Sequence, residues 1–142
     1  MDQGELARLF NDSYDRAMKR SAPSGAEFFS AFYSLLMAKS PEAAHKFRHV
    51  DMREQVRMLR ASLATLLAFF ATGGQDDYLG KLAERHSKRG ADIPPELYSV
   101  WLDCLLETAG RCDPDFSDEV EAAWRSVFSK GIEFMISRYG ES

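Results

Sequence analysis

His86 is the side chain in this sequence best suited to hold a metal. It closes the segment Leu79-Gly80-Lys81-Leu82-Ala83-Glu84-Arg85-His86, where Leu79, Leu82 and His86 recur at i, i+3 and i+7 and so share one face of a helix. A lone imidazole on the apolar stripe of an otherwise charged helix stands where an axial ligand to a haem iron would stand. A hydrogen-bonded core histidine would occupy the same position. The other candidates are weaker. Cys104 and Cys112 are too few for a disulfide framework and lack CxxC spacing, so both are expected to be free thiols. His45 and His49 fall beside a polar corner and read as solvated. Met52 and Met58 sit at helical spacing and read as core, and Arg53, Glu54, Arg57 and Arg60 read as a charged outer face.

The elements that must position these residues are helical throughout. Leu6, Phe10, Tyr14 and Ala17 form a stripe between Gly4 and Arg20, ended by Ser21-Ala22-Pro23-Ser24-Gly25. From Ala26 to Ala38 the chain is apolar nearly all round, which predicts a central helix packed on most sides. Ser40 before Pro41 and Glu42 predicts a cap and a short helix to about Phe47. Asp51-Met52-Arg53-Glu54 resembles a capping box and opens a long stripe of Met52, Val56, Leu59, Leu63, Leu66, Leu67 and Phe70, stopped by Gly73-Gly74. The His86 helix is expected from about Asp77 to Arg89, with Gly90 as its left-handed cap. Pro94-Pro95-Glu96 starts another helix, with Leu97, Trp101, Cys104, Leu105 and Thr108 on one face until Gly110. Cys112 to Ser117 reads as a loop. The last helix carries Val120, Trp124, Val127, Phe128, Gly131, Phe134 and Met135 to near Gly140.

No segment alternates like a strand and no internal repeat occurs. With 142 residues, 45% of them hydrophobic and 28% charged, ten Phe and two Trp, the chain is expected to be a single all-α domain over 1–142, of six to seven helices. Four-helix bundles and globin-like packings both suit that count. The net charge of −4, with basic residues scattered among acidic ones, argues against nucleic acid as a partner. The richest apolar run, Leu63 to Ala71, is too short for a membrane span, which takes about 20 residues. The amino terminus lacks the features of a secretory signal, so a cytoplasmic protein is expected.

Ala31-Phe32-Tyr33, Ser40-Pro41-Glu42 and Phe47, followed by Glu54-Gln55-Val56-Arg57-Met58-Leu59 and Leu82-Ala83-Glu84-Arg85-His86, resemble the globin family. The resemblance is to bacterial single-domain globins and the haem domain of flavohaemoglobins. Ile93-Pro94-Pro95-Glu96-Leu97-Tyr98 and Ala122-Ala123-Trp124 match the two closing helices, so the likeness spans almost the whole chain. It implies a globin-like fold around a haem pocket holding one haem b on its iron ligand His86, with no CxxCH for covalent attachment. It places Phe47 against the haem, Tyr33 and Gln55 on the ligand side, Leu59 one turn beyond Gln55, and Leu82 and Tyr98 on the side of His86. If the helix after the corner is shifted by nearly a turn, Met58 would face the ligand in place of Gln55. The chemistry suits these residue types. A neutral imidazole ligates iron well, and a carbonyl one turn earlier, such as that of Leu82, can hold its second nitrogen. A tyrosine hydroxyl and a glutamine amide are donors suited to the partial negative charge of iron-bound dioxygen.

The pattern also departs from flavohaemoglobins. The position of their proximal glutamate aligns with Tyr139, and Glu133 lies a turn and a half away. No GxGxxG fingerprint of a nicotinamide or flavin domain occurs. The leading expectation is a globin that reversibly binds dioxygen or other diatomic gases, for carriage, storage or scavenging. Nitric-oxide dioxygenation or weak peroxidase activity would require a separate reductase as partner. A haem-based sensor or a haem-free interaction module on the same fold is the third reading.

Overall fold

The structure, a computed structural model, describes residues 2–20, 26–73, 77–87 and 92–140. Seven helices follow in order: α1 (Gln3–Arg20), α2 (Ala26–Lys39), α3 (Pro41–Phe47), α4 (Met52–Ala71), α5 (Asp77–His86), α6 (Pro95–Cys112) and α7 (Asp118–Ser137). There is no strand among the described residues, so the expected all-α architecture holds. No helix among them is long and apolar enough to cross a membrane. The Ser21–Gly25 breaker, Gly74 and the Gly90 cap lie outside the described residues.

Local chemistry sets most helix ends. Asp2 accepts from the Glu5 N–H at 2.8 Å to open α1. Ser40, extended at φ −130°, accepts from the Ala43 N–H at 3.1 Å ahead of Pro41, and Ser117 caps α7 by accepting from the Val120 N–H. Asp51 caps α4 through the Arg53 N–H at 3.0 Å. The reciprocal half of the expected capping box is missing, because Glu54 turns forward to the Arg57 guanidinium. Gly73, at φ +71°, supplies the left-handed turn after α4. Helix α6 runs two residues past Gly110, to Cys112.

Helix α5 ends at His86, short of the expected Arg89. Ser87 ends it from both sides of its backbone: its N–H reaches the Glu84 carbonyl in a tighter turn, and its hydroxyl donates to the same carbonyl at 2.7 Å.

Helix α7 is the common support, packing against α1, α4, α5 and α6, while α2 lies on α6 and α3. At one end, aromatic rings interlock across α1, α2 and α7. Phe10 meets Trp124 at 4.8 Å and Phe128 at 5.2 Å, both edge-on, and Phe28 meets Phe29 at 5.2 Å. Phe28, Phe29, Phe32, Trp124 and Phe128 are wholly buried, each ring contributing about 2 to 3 kcal/mol by removal from water.

A polar clamp lies beside this cluster. The buried Asp113 carboxylate accepts from Ser13 Oγ at 2.5 Å, from Arg16 Nε at 2.7 Å and Nη2 at 3.0 Å, and from the Asp115 N–H at 2.9 Å. Ser13 Oγ accepts in turn from Trp124 Nε1 at 2.9 Å. This joins α1 to the α6–α7 corner and to α7, over sequence separations of about one hundred residues. Burial works to raise the Asp113 pKa, but the bonds from Arg16, Ser13 and the Asp115 N–H, with the Arg16 charge, hold it below the ordinary 3.8.

Helices α4 and α5 both approach α7 closely at Gly131. A Cβ there would meet Leu66 Cδ2 of α4 at 2.3 Å and Leu79 Cδ2 of α5 at 3.6 Å. The bare backbone lets α7 seat both helices that carry the candidate site.

Candidate functional site

Helix α5 presents its residues in two depths. Leu79 and Ala83 are fully buried against the core, whereas Leu82 and His86 are only partly buried. His86 Nδ1 lies 2.8 Å from the Leu82 carbonyl oxygen. A carbonyl only accepts, so Nδ1 carries the proton and Nε2 keeps its lone pair. Burial lowers the His86 pKa, the Leu82 bond opposes this, and the Arg85 charge lowers it further. The imidazole is therefore a neutral, oriented Nε2 donor at neutral pH.

The other candidates gather on α2, α3 and the start of α4. Tyr33 is buried on α2, and its hydroxyl donates to the backbone carbonyl of Gln55 at 3.3 Å, a long and weak bond for O–H···O. Burial pushes this hydroxyl up to about 12, so it stays a donor. The Tyr33 ring meets Phe47, the last residue of α3, edge-on at 5.5 Å, and Phe32 at 5.0 Å. Phe32 leads on to the partly buried Trp101 of α6 at 6.1 Å. Gln55 and Val56 are partly buried in the first two turns of α4, Leu59 is buried, and Met58 is 41% exposed. The Gln55 side chain also bonds the Tyr33 hydroxyl, which opposes the rise in its pKa.

Tyr98 occupies a different setting. It is buried in the first turn of α6, and burial pushes its hydroxyl up to about 12. It lines a cavity of about 180 Å³ between α6 and α7 with Leu102, Ile132 and Ile136, and Glu133 stands on the same wall. His86 is not among the residues of that lining. Tyr139, at the position aligned with the family's glutamate, donates its hydroxyl to Asp92. The structure thus brings together Tyr33 with Phe47 and Gln55, and Leu82 with His86, while Tyr98 belongs to the α6–α7 groove.

The family model named Globin matches residues 30–135, from the α2 segment bearing Tyr33, through α5 with His86, into α7. The chain belongs to the globin family. A solved structure from Pseudomonas aeruginosa PAO1, described as structurally highly homologous to a human haemoglobin, superposes on this globin with a TM-score of 0.87 at 37% identity. That match covers 96% of this chain and 99% of the other. None of the curated proteins matches the globin.

The residues present fit a haem. Members of the family generally bind one. Among the described residues no group of three or more His, Cys, Asp or Glu gathers as a metal site. The neutral Nε2 of His86 is a nitrogen donor of the kind that would hold a haem iron. Phe47, Val56, Leu82, Ile93 and Trp101 are partly buried and pack on the core, and such apolar surface suits the faces of a porphyrin.

Two features lay outside the sequence reading. The Asp113 clamp joins ordinary polar residues far apart in the chain, which no short motif announces. The Tyr139 bond to Asp92 spans 47 positions and was equally hidden.

Proposed function

We propose that this globin is a single domain that binds one haem b non-covalently through His86 Nε2 and reversibly binds dioxygen or other diatomic gases. The Leu82 bond to Nδ1 carries the proposal, because it presets both the tautomer and the ring orientation that iron ligation requires. Haem, when bound, supplies an iron with an open position for a diatomic gas.

The chain's own residues do the rest. Phe47 and Leu59 offer apolar surface, and Phe47 also braces the Tyr33 ring. The Tyr33 hydroxyl is a protonated donor on a weak tether to α4, so a better acceptor in the pocket can draw it away from the Gln55 carbonyl. Gln55, more buried than Met58 and with its side chain beside the Tyr33 hydroxyl, is the better candidate for a second donor. Cys104 and Cys112 are not joined in a disulfide, which suits the cytoplasm, where we place the protein. Burial pushes the Cys104 thiol up and keeps it unreactive.

Titrating haem into the purified protein tests this reading. A Soret band saturating at one haem per chain is expected. Absorbance that grows without an end point would contradict it.

A further inference from the structure

Core residues on α6 and α7 differ in how tightly they are closed. Cys104, Leu105, Val127 and Phe128 keep no exposed surface, whereas Tyr98, Leu102 and Ile132 each keep 8%. The difference marks the cavity of about 180 Å³ between the two helices, walled by these three residues with Pro95 and Ile136 and flanked by the exposed Glu133. Its lining is mostly apolar, and neither His86 nor Tyr33 belongs to it.

Tyr98 is the one buried residue of that wall with a polar group. The hydroxyls of Tyr33 and Tyr139 each donate to an acceptor, but that of Tyr98 makes no hydrogen bond among the described residues, and burial alone raises its pKa. It is not sealed either, because no enclosed side-chain nitrogen or oxygen among the described residues lacks a partner. A buried hydroxyl without a protein partner is satisfied from the cavity it borders.

These features define a ligand. An engineered apolar cavity of about 150 Å³ holds one benzene, so about 180 Å³ admits a single ring with a small substituent. The Tyr98 hydroxyl stays protonated at neutral pH and can both donate and accept. A ligand hydroxyl reproduces the bond that water makes there, whereas a bare hydrocarbon displaces the water without replacing it. An anion is disfavoured twice, by losing its hydration among apolar walls and by facing the Glu133 carboxylate.

We propose that the α6–α7 groove is a second binding site, for a neutral single-ring phenol or alcohol whose hydroxyl pairs with that of Tyr98. The site stands apart from His86 and does not depend on haem.

Para-cresol, toluene and para-toluate carry the same methylated ring with a hydroxyl, nothing or a carboxylate opposite the methyl group. They are titrated into the full chain, reduced and saturated with carbon monoxide so that any bound haem is diamagnetic. Para-cresol should shift the methyl resonances of Ile132 and Ile136 saturably, with a Kd of about 0.5 mM, and leave those of Leu59 in place. Para-toluate at the same concentrations should shift none of them. Tyr98→Phe keeps the ring and should weaken para-cresol about fivefold while leaving toluene unchanged. Ile136→Phe fills the groove from a half-buried position and should abolish binding of both.

Shifts that never saturate would overturn the site, and shifts at Leu59 in place of the isoleucines would move the phenol to the pocket of Tyr33 and overturn it equally. Para-cresol binding that is unchanged in Tyr98→Phe, or that falls there no more than toluene binding, would overturn the hydroxyl pairing. Para-toluate binding as tight as that of para-cresol would overturn the choice of a neutral ligand. Each result is read whether or not the chain takes haem, so failure of this site and failure of the proposed function are separate outcomes.

Discussion

Around Asp113 four hydrogen bonds converge on one buried carboxylate, and the serine that supplies one of them also receives the Trp124 indole. Among the candidate site residues the pattern is looser: His86 Nε2 is left with its lone pair, and the Tyr33 hydroxyl rests on a 3.3 Å bond to the Gln55 carbonyl. Packing differs in the same sense. Phe28, Trp124 and Phe128 are sealed, while Phe47, Leu82 and Trp101 keep partial access to solvent. One region has its polar groups mutually satisfied and holds the helices. The other keeps donors and acceptors available, which is what a ligand site requires and what stability alone would not select.

The sharpest break in this comparison is His86→Ala. It should abolish stoichiometric haem binding while leaving the haem-free protein's urea midpoint nearly unchanged, because the ring is only partly buried and makes one hydrogen bond. A large drop in midpoint would make His86 a structural residue.

Asp113→Ala should do the converse. Removing the carboxylate leaves Ser13 and the Arg16 guanidinium without their acceptor, at a cost of about 3 kcal/mol in urea unfolding, with the haem stoichiometry of the surviving folded protein retained. The pH dependence follows from the lowered pKa of Asp113. A carboxylate whose folded pKa lies below its unfolded value adds stability that is complete above the unfolded value of 3.8 and is lost as the pH falls through the folded value. The stability difference between the native protein and Asp113→Asn should therefore shrink in unfolding curves taken below that pH. A difference constant with pH would remove the charge from the account.

Gly131→Ala tests the join between the two regions. The new methyl must displace Leu66, so a loss of about 2 kcal/mol in unfolding free energy is expected, together with weaker haem retention because Leu79 and α5 lean on the same spot. A change in stability with haem retention intact would show that α5 is held independently.

Tyr33→Phe is the smallest change, one hydroxyl. It should speed dioxygen release about tenfold, the equivalent of about 1.4 kcal/mol, with little effect on unfolding. An unchanged off-rate would place the hydroxyl outside the ligand's reach.

Much of the fold was legible because it is written in local or periodic signals. The Ser40-Pro41 cap, the α4 stripe and the His86 register each depend on residues within a few turns, and each appears as expected. The tie from His86 to the Leu82 carbonyl was legible for the same reason, four residues being one helical turn. The end of α5 was not, because Ser87 competes for the Glu84 carbonyl through its hydroxyl, and a serine at a helix end announces no such choice in advance. Tyr98 shows a further limit. Alignment sets its place along α6, but the packing of α7 opposite it decides that it shares a groove with Ile132 and Ile136. Ser13 with Asp113, and Tyr139 with Asp92, were out of reach because distant partners meet only when the helices assemble.

The absorption spectrum of the ferrous, haem-loaded protein with and without carbon monoxide, recorded in parallel for His86→Ala, tests the central claim most directly. The account predicts a sharp Soret band that shifts on adding carbon monoxide in the native protein and is lost in the variant. Native spectra and native carbon monoxide response in His86→Ala would contradict it.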